Sequence, residues 1–322
     1  MSSETRVLPV RARLGIAEDR TPARKDGTRV MPTITVGVPV YNGGDQLREC
    51  LDCLIAQSFS DIEIRIYDNA SQDNTREISE EFARKDPRVK YIRHDTNIKA
   101  MPNFLCVLRE CNTEFVMWRA HDDLSAPDYI EKLYQALSAK PYINVAVPTV
   151  RTIRRDLRTR VSKPGSIDGM SDLSATARLM FNSHPGWFYG LWRRKSLLAD
   201  FQECWMALHH PWALDHLVLF PSLLARSVVI VPDATFIQRM VEKSYTPKNG
   251  AKAPVADMVA LRRLFSAQCH RYIDRSAFSK NQKRAIRTLL PFYVGKRVYR
   301  LRKIIKRTLL GDKSPPARGT EF

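Results

Sequence analysis

No window of about eighteen uncharged apolar residues, the length a membrane-spanning helix needs, occurs in this chain of 322 residues. The nearest candidate, "LDHLVLFPSLLARSVVIVP", carries Asp215, His216 and Arg226 and is interrupted by Pro221, which excludes a spanning helix there. Cysteine is sparse: the six thiols at 50, 53, 106, 111, 204 and 269 lack the density and spacing of a secreted disulfide scaffold, so a reducing compartment is expected. Cys50 and Cys53 form one CxxC inside a helix-like stretch, and no second pair follows, so zinc is not expected. The first thirty or so residues have neither the apolar segment of a signal peptide nor a core of their own, and 1–31 is expected to be a flexible leader. Neither GxGxxG nor GxxxxGK[ST] follows the first apolar run, which excludes the two commonest glycine-rich phosphate cradles.

Acid is missing from one long segment. Lys and Arg number 52 against 34 Asp and Glu, a net charge of +18, yet twelve of the cations and none of the acids lie between Arg275 and Gly311. Without those twelve the other residues carry only about +6, so the strongly basic character belongs to the tail rather than to the body.

What is present is alternation. From Thr33, "TITVGVPV", "DIEIRIYD", "RVKYIRH" and "TEFVMWRA" have the apolar runs of buried strands. Between and after them, "GDQLRECLDCLIAQ", "DNTREISEEFARKDP", "NFLCVLREC" and "APDYIEKLYQALSAK" have helical spacing, the last with Pro127 in its first turn. Four such cycles predict an α/β fold whose parallel sheet is flanked by helices, with ligands at the carboxyl ends of the strands. Those ends are Tyr41-Asn42, Asp68-Asn69 and Asp122-Asp123. Beyond Lys140 the pattern loosens. "INVAVPTVRTIRR" is expected to be a strand, "SATARLMF" a helix, "GWFYGLWRRKSL" a strand running into a turn and "PWALDHLVLFPSLLA" a helix. "VVIVPDATFIQRM" reads as two strands joined at Pro232-Asp233, and 254–274 and 279–309 read as helices.

The ordered segments from "VGVPVYNGGDQLRECLDCLIAQSFSDIEIRIYDNASQDNT" to "HDD" resemble the family 2 glycosyltransferases over roughly residues 33 to 240. The resemblance implies a GT-A-type nucleotide-sugar-binding fold with a mostly parallel central sheet. It also implies inverting transfer of a sugar from a nucleoside diphosphate to an acceptor. A nucleotide-binding half at 32–140, an acceptor half at 141–245 and a helical basic extension at 246–322 are the expected divisions. In this family the loop carrying Pro39, Tyr41 and Asn42 wraps the nucleoside, and Asp68 accepts a hydrogen bond from the base; a turn or cap role is the alternative for Asp68. Asp122 and Asp123 match the later part of the Asp-x-Asp signature, which holds Mn²⁺ or Mg²⁺ against the sugar donor's diphosphate; a helix-leading acidic pair is the alternative.

One departure stands in that signature. Ala120 occupies the place where the family often has its first aspartate, which leaves Asp122 as the expected metal ligand and His121 as a further ligand, a ribose contact or an ordinary hydrogen-bonding residue. Asp215, after "PW" and at the head of an apolar helix, matches the catalytic acid, with a helix-start role as its alternative. Trp187 and Trp192 correspond to the acceptor-side segment and are either sugar platforms or core. Arg239 matches an arginine that touches the diphosphate, with an exposed ion pair as the competing role, and Lys99 replaces a frequent glycine.

In "VGKRVYRLRKIIKRTLL", Val294, Val298, Leu301 and Ile305 share one helical face and Lys296, Lys303, Lys306 and Arg307 lie off it. The expectation is a basic amphipathic helix that either rests on an anionic membrane surface or packs on the body. Together these readings point to a bacterial-type glycosyltransferase acting on a glycan or lipid-linked acceptor for surface polysaccharide or glycolipid, cytoplasmic and peripheral on the inner face of the membrane. Two competing readings remain at the level of sequence: a nucleic-acid-binding protein using 275–311, and an inactive sugar-nucleotide-binding module signalled by Ala120.

Overall fold

A computed structural model describes residues 32–240 and 253–311; the expected leader at 1–31 lies outside the described residues. β1 (Ile34–Val40) is buried along its whole length, because apolar residues occupy both of its faces and helices cover each. α1 (Gly44–Ile55) buries Leu47, Cys50, Leu51 and Leu54, the one-face spacing that the sequence shows. β2 (Ile62–Asp68), α2 (Thr75–Lys85), β3 (Val89–Arg93), α3 (Ala100–Glu110) and β4 (Phe115–Trp118) complete the first three crossovers. β1 pairs in parallel with both β2 and β4, and β2 with β3, so the expected parallel sheet is what this half builds. Gly37 permits the α3 contact: a Cβ there would lie 2.2 Å from Val107 Cγ1.

A short β5 (Leu124–Ser125) precedes α4 (Tyr129–Ser138), so Pro127 lies before the helix rather than in its first turn. The second half is mixed. It comprises β6 (Val145–Ile153), β7 (Thr159–Ser162), α5 (Asp172–Asn182), a 3₁₀ turn at Pro185–Tyr189, β8 (Leu191–Arg193), α6 (Arg194–Leu208), α7 (Leu214–Ala225) and β9 (Val228–Arg239). The sheet runs β3-β2-β1-β4-β8-β6-β9-β5, with β7 paired to β6; β8 is antiparallel to both neighbours, while β9 is parallel to β6.

Three expectations change here. "VVIVPDATFIQRM" is one strand, not two: the register jumps from Pro148 opposite Val231 to Thr149 opposite Thr235, so Pro232 to Ala234 bulge without a break. "GWFYGLWRRKSL" leads into α6, whose Leu197, Phe201, Cys204 and Leu208 are buried at helical spacing. The helix expected at 254–274 is α8 (Val255–Arg275), but the one expected at 279–309 is two, α9 (Lys280–Arg297) and α10 (Leu301–Leu309), with a bend at Val298 to Arg300.

That bend divides the expected apolar stripe. Val294 and Val298 are buried in the common core, each removal from water contributing about 1.5–3 kcal/mol, whereas Leu301 and Ile305 are exposed on α10. Tyr293 of α9 packs its ring 5.4 Å from Phe220 of α7 and 6.1 Å from Phe265 of α8, so the extension shares the core of the acceptor half. The cysteines are free thiols, and Cys50 is inert in the core, its thiol pushed up to about 12 by burial.

Candidate active site

The parallel pairing of β2, β1 and β4 sets their carboxyl ends side by side, and the loops beyond them are tied together. Asn42, at φ +52°, donates its backbone N–H to Ser71 Oγ (2.9 Å) and accepts from the Gln72 N–H at Oδ1 (2.8 Å). Tyr41 is half-buried and Asn42 exposed, which leaves both available to a ligand. Pro39 is a correction: it is buried within β1, where it shapes the strand's exit and does not face a nucleoside. Asp68 is wholly covered, accepting from the Ser71 N–H (2.8 Å) at one oxygen and from Tyr91 (2.7 Å) and Arg93 (2.5 Å) at the other. It organises the turn after β2, with the Arg93 side chain, about one-third exposed, lying over its outer oxygen.

Asp122 and Asp123 close the turn after β4, 8% and 3% exposed. Asp123 Oδ1 accepts the backbone N–H of Arg239 (2.7 Å), and the Arg239 guanidinium donates to the Asp122 carbonyl and pairs with Glu49. Arg239 Nη2 is buried and has no hydrogen-bond partner among the described residues. Burial, then the charge of Asp122, pushes the Asp123 carboxyl up to about 8. Beneath the pair lies Arg119, fully buried, with its guanidinium carbon 5.3 Å from the ring centres of both Tyr129 and Phe236 and with Nε and Nη1 unpartnered.

Sequence reasoning passed over Arg119, although an arginine directly after an apolar strand and before two acids is a legible signal. His121 stands between the nucleoside-side loop and the acids: its Cδ2 lies 3.2 Å from where a Cβ on Gly43 would sit. Burial holds its imidazole below the usual range, hence neutral and able to ligate or accept. Among the described residues no three His, Cys, Asp or Glu side chains form a ready-made metal cage. A cation nonetheless fits the pair: two adjacent buried carboxylates offer oxygen ligands that suit Mn²⁺ or Mg²⁺, and Arg119 and Arg239 do not offset the burial that raises the Asp123 carboxyl.

Asp215 lies in the first turn of α7, half-buried, and its Oδ1 accepts the backbone N–H of His216 (2.8 Å). Burial raises its pKa above the ordinary aspartate value, opposed by that hydrogen bond and the nearby charge of Arg297. His184, in the same cluster, is held down to about 4 by burial and is neutral at pH 7.

Trp187 and Trp192 are corrections. They are 1% and 0% exposed, and Trp192 Nε1 donates to Phe188 O (3.1 Å), so both are core and neither offers a face to an acceptor sugar. Tyr189 in the same segment is less deeply buried, packed at the edge of the core and stacked on Phe236 at 5.3 Å. Desolvation and then the charges of Asp123, Asp122 and Asp215 raise the Tyr189 hydroxyl.

A family model described as glycosyl transferase family 2 matches residues 35–212, more than half of the chain. The chain belongs to glycosyl transferase family 2. Among curated members, it is 37% identical over 105 residues to glycosyltransferase GlyA of Streptococcus pneumoniae, covering 32% of this chain and 15% of that protein. Glycosyltransferase GlyG of the same organism is 32% identical over 107 residues, covering 33% of this chain and 36% of its own length. An uncharacterised Escherichia coli glycosyltransferase, YibD, is 37% identical over 204 residues, 60% of this chain and 58% of YibD. The matches therefore span less than two thirds of these relatives. Among solved structures, S. aureus TarS (1–349) in complex with UDP-GlcNAc superposes with a TM-score of 0.62 at 17% identity, covering 82% of this chain and 73% of that one, a likeness of fold. The GT-A architecture expected from the family's motifs is thus the fold observed, with a mixed sheet.

Proposed function

We propose that the chain transfers a sugar from a nucleoside diphosphate to a glycan or lipid-linked acceptor with inversion, in bacterial surface polysaccharide or glycolipid synthesis. The observation that carries this reading is the pair Asp122-Asp123 held in a buried turn at the carboxyl end of β4, with the Asp123 carboxyl raised by burial and by the charge of Asp122, together with Asp215 in the first turn of α7. Tyr41 and Asn42 flank the nucleoside, with His121 between them and the acids. Asp122 is the direct ligand of Mn²⁺ or Mg²⁺, and Asp123 and Arg239 hold that turn in register. A bound cation neutralises the charge that develops on the departing diphosphate.

The Asp215 carboxylate accepts the proton of the acceptor hydroxyl as that oxygen bonds to the anomeric carbon, and the bond from that carbon to the diphosphate oxygen breaks in line, releasing nucleoside diphosphate. Burial raises the pKa of Asp215, which makes its carboxylate a stronger base than an ordinary aspartate. TarS, with UDP-GlcNAc bound, supports a nucleoside-diphosphate sugar as the ligand class.

Among the described residues no helix is long and apolar enough to cross a membrane. Peripheral attachment at the cytoplasmic face of an anionic membrane is the reading for 275–311, and its support is α10, which exposes Leu301, Ile305 and Leu309 beside Arg302 and Lys306. Nucleic acid fits poorly, because Arg275, Lys283, Arg287, Lys296, Arg297 and Arg307 already bond groups of the protein itself. A panel of UDP-, GDP- and dTDP-sugars, scored for Mn²⁺-dependent thermal stabilisation and then turnover, tests the reading. One nucleotide class stabilising and being consumed is expected; no stabilisation by any of them contradicts it.

A further inference from the structure

Trp212 lies three residues before Asp215, and its indole stacks on Tyr299 with ring centres 5.7 Å apart and planes 8° from parallel. Its Nε1 donates to Val298 O (3.2 Å), which fixes the bend between α9 and α10 against the loop that carries Asp215. This contact walls one side of a hollow of about 700 Å³, lined further by Lys296, whose ammonium is bonded to Phe181 O, by Arg300, Arg302, Lys303 and Lys306 and, among the described residues, by no acid. None of the last four cations has an acidic partner among the described residues, and like charges gathered at one mouth repel until an anion enters. A second, shallower hollow of about 470 Å³ continues along α10, sharing Arg302 and Lys306 and bordered by the exposed Ile305, Leu309 and Leu310.

We propose that these joined hollows bind the acceptor by a phosphate or diphosphate, with a hydrocarbon chain along α10 and the sugar directed past Trp212 toward Asp215. The inference rests on the glycosyl-transfer reading and names its acceptor class. The first hollow has the size of a small-molecule site, its aromatic wall suits a sugar face, and its cations suit phosphate oxygens. The apolar border begins where the cations end, the order of groups in a lipid phosphate.

Isothermal titration of the full-length protein with monomeric dodecyl phosphate, inorganic phosphate and dodecyl maltoside tests each part. The proposal expects saturable binding of dodecyl phosphate, roughly tenfold or more tighter than either control, because only it supplies both the anion and the chain. The double substitution Arg302→Glu, Lys306→Glu, at exposed positions, is expected to weaken that binding by about tenfold or more. Ile305→Gln should weaken dodecyl phosphate while leaving inorganic phosphate as it was. Equal binding of dodecyl maltoside, indifference to the charge reversal, or capture only by anionic phosphatidylglycerol vesicles would each overturn the proposal. A parallel titration with UDP and Mn²⁺ separates the two readings, since loss of nucleotide binding speaks against glycosyl transfer and leaves the phosphate result to be judged by itself.

Discussion

At the end of β2 the carboxylate of Asp68 is completely covered yet fully matched, by Ser71, Tyr91 and Arg93; at the end of β4 Asp123 is buried and at the head of α7 Asp215 is half-buried, and nearby cations do not offset the desolvation that raises each. On the proposed function the same side chain is a fixture at Asp68 and a base at Asp215. Burial alone does not make the difference, since Asp68 has no exposed surface at all. What distinguishes the second region is charge left over for a ligand to complete.

The widest separation between the two regions is expected in catalysis. Asp215→Asn should lower transfer about 10²–10⁴-fold with nucleotide binding retained, measured as nucleoside diphosphate release beside a titration of the same sample. Asp68→Ala should behave in the opposite sense, lowering folding stability by about 2–3 kcal/mol in denaturant melts, because the Tyr91 hydroxyl and Arg93 lose a shared acceptor. Asp122→Ala should remove the Mn²⁺-dependent part of nucleotide stabilisation, about 2–3 kcal/mol at a cation concentration near a hundredfold over its dissociation constant. Thermal shifts with and without Mn²⁺ read this.

The smallest effect is one of pH. Asp123 holds its proton more tightly folded than unfolded, so the cation-free protein loses stability as pH rises from the ordinary aspartate range through about 8. Asp123→Asn should accordingly raise the melting temperature of the cation-free protein at pH 8 by about 2 °C or more, and by less at pH 5. A gain that is equal at both pH values would mean the carboxyl is not strained.

The sequence made the first half legible because β1 and β4 are nearly continuous apolar stretches, β2 alternates its isoleucines with Glu63 and Arg65, and the helices from α1 to α4 repeat their apolar residues at one-face spacing. The ends of those strands then located Asp122 and Asp123 without any coordinate. Partners across the sheet were not legible: Arg93 meets Asp68 through the β2–β3 register, 25 residues apart. Nor was the choice among Trp187, Tyr189 and Trp192, since a 3₁₀ turn followed by a three-residue strand has no period long enough to say which ring turns outward. The tail misled for a third reason. Its apolar spacing runs on through Val298, Tyr299 and Arg300, and no glycine or proline marks the bend that sends Val298 inward and Leu301 outward.

The central claim is that the sugar donor's diphosphate and a divalent cation meet at Asp122, and crystals soaked with UDP and Mn²⁺ address it directly through the anomalous scattering of manganese. The account predicts one peak about 2–2.5 Å from an Asp122 carboxylate oxygen and in contact with the diphosphate. A diphosphate bound elsewhere, or a peak bridging no residue of the Asp122-Asp123 turn, would contradict it.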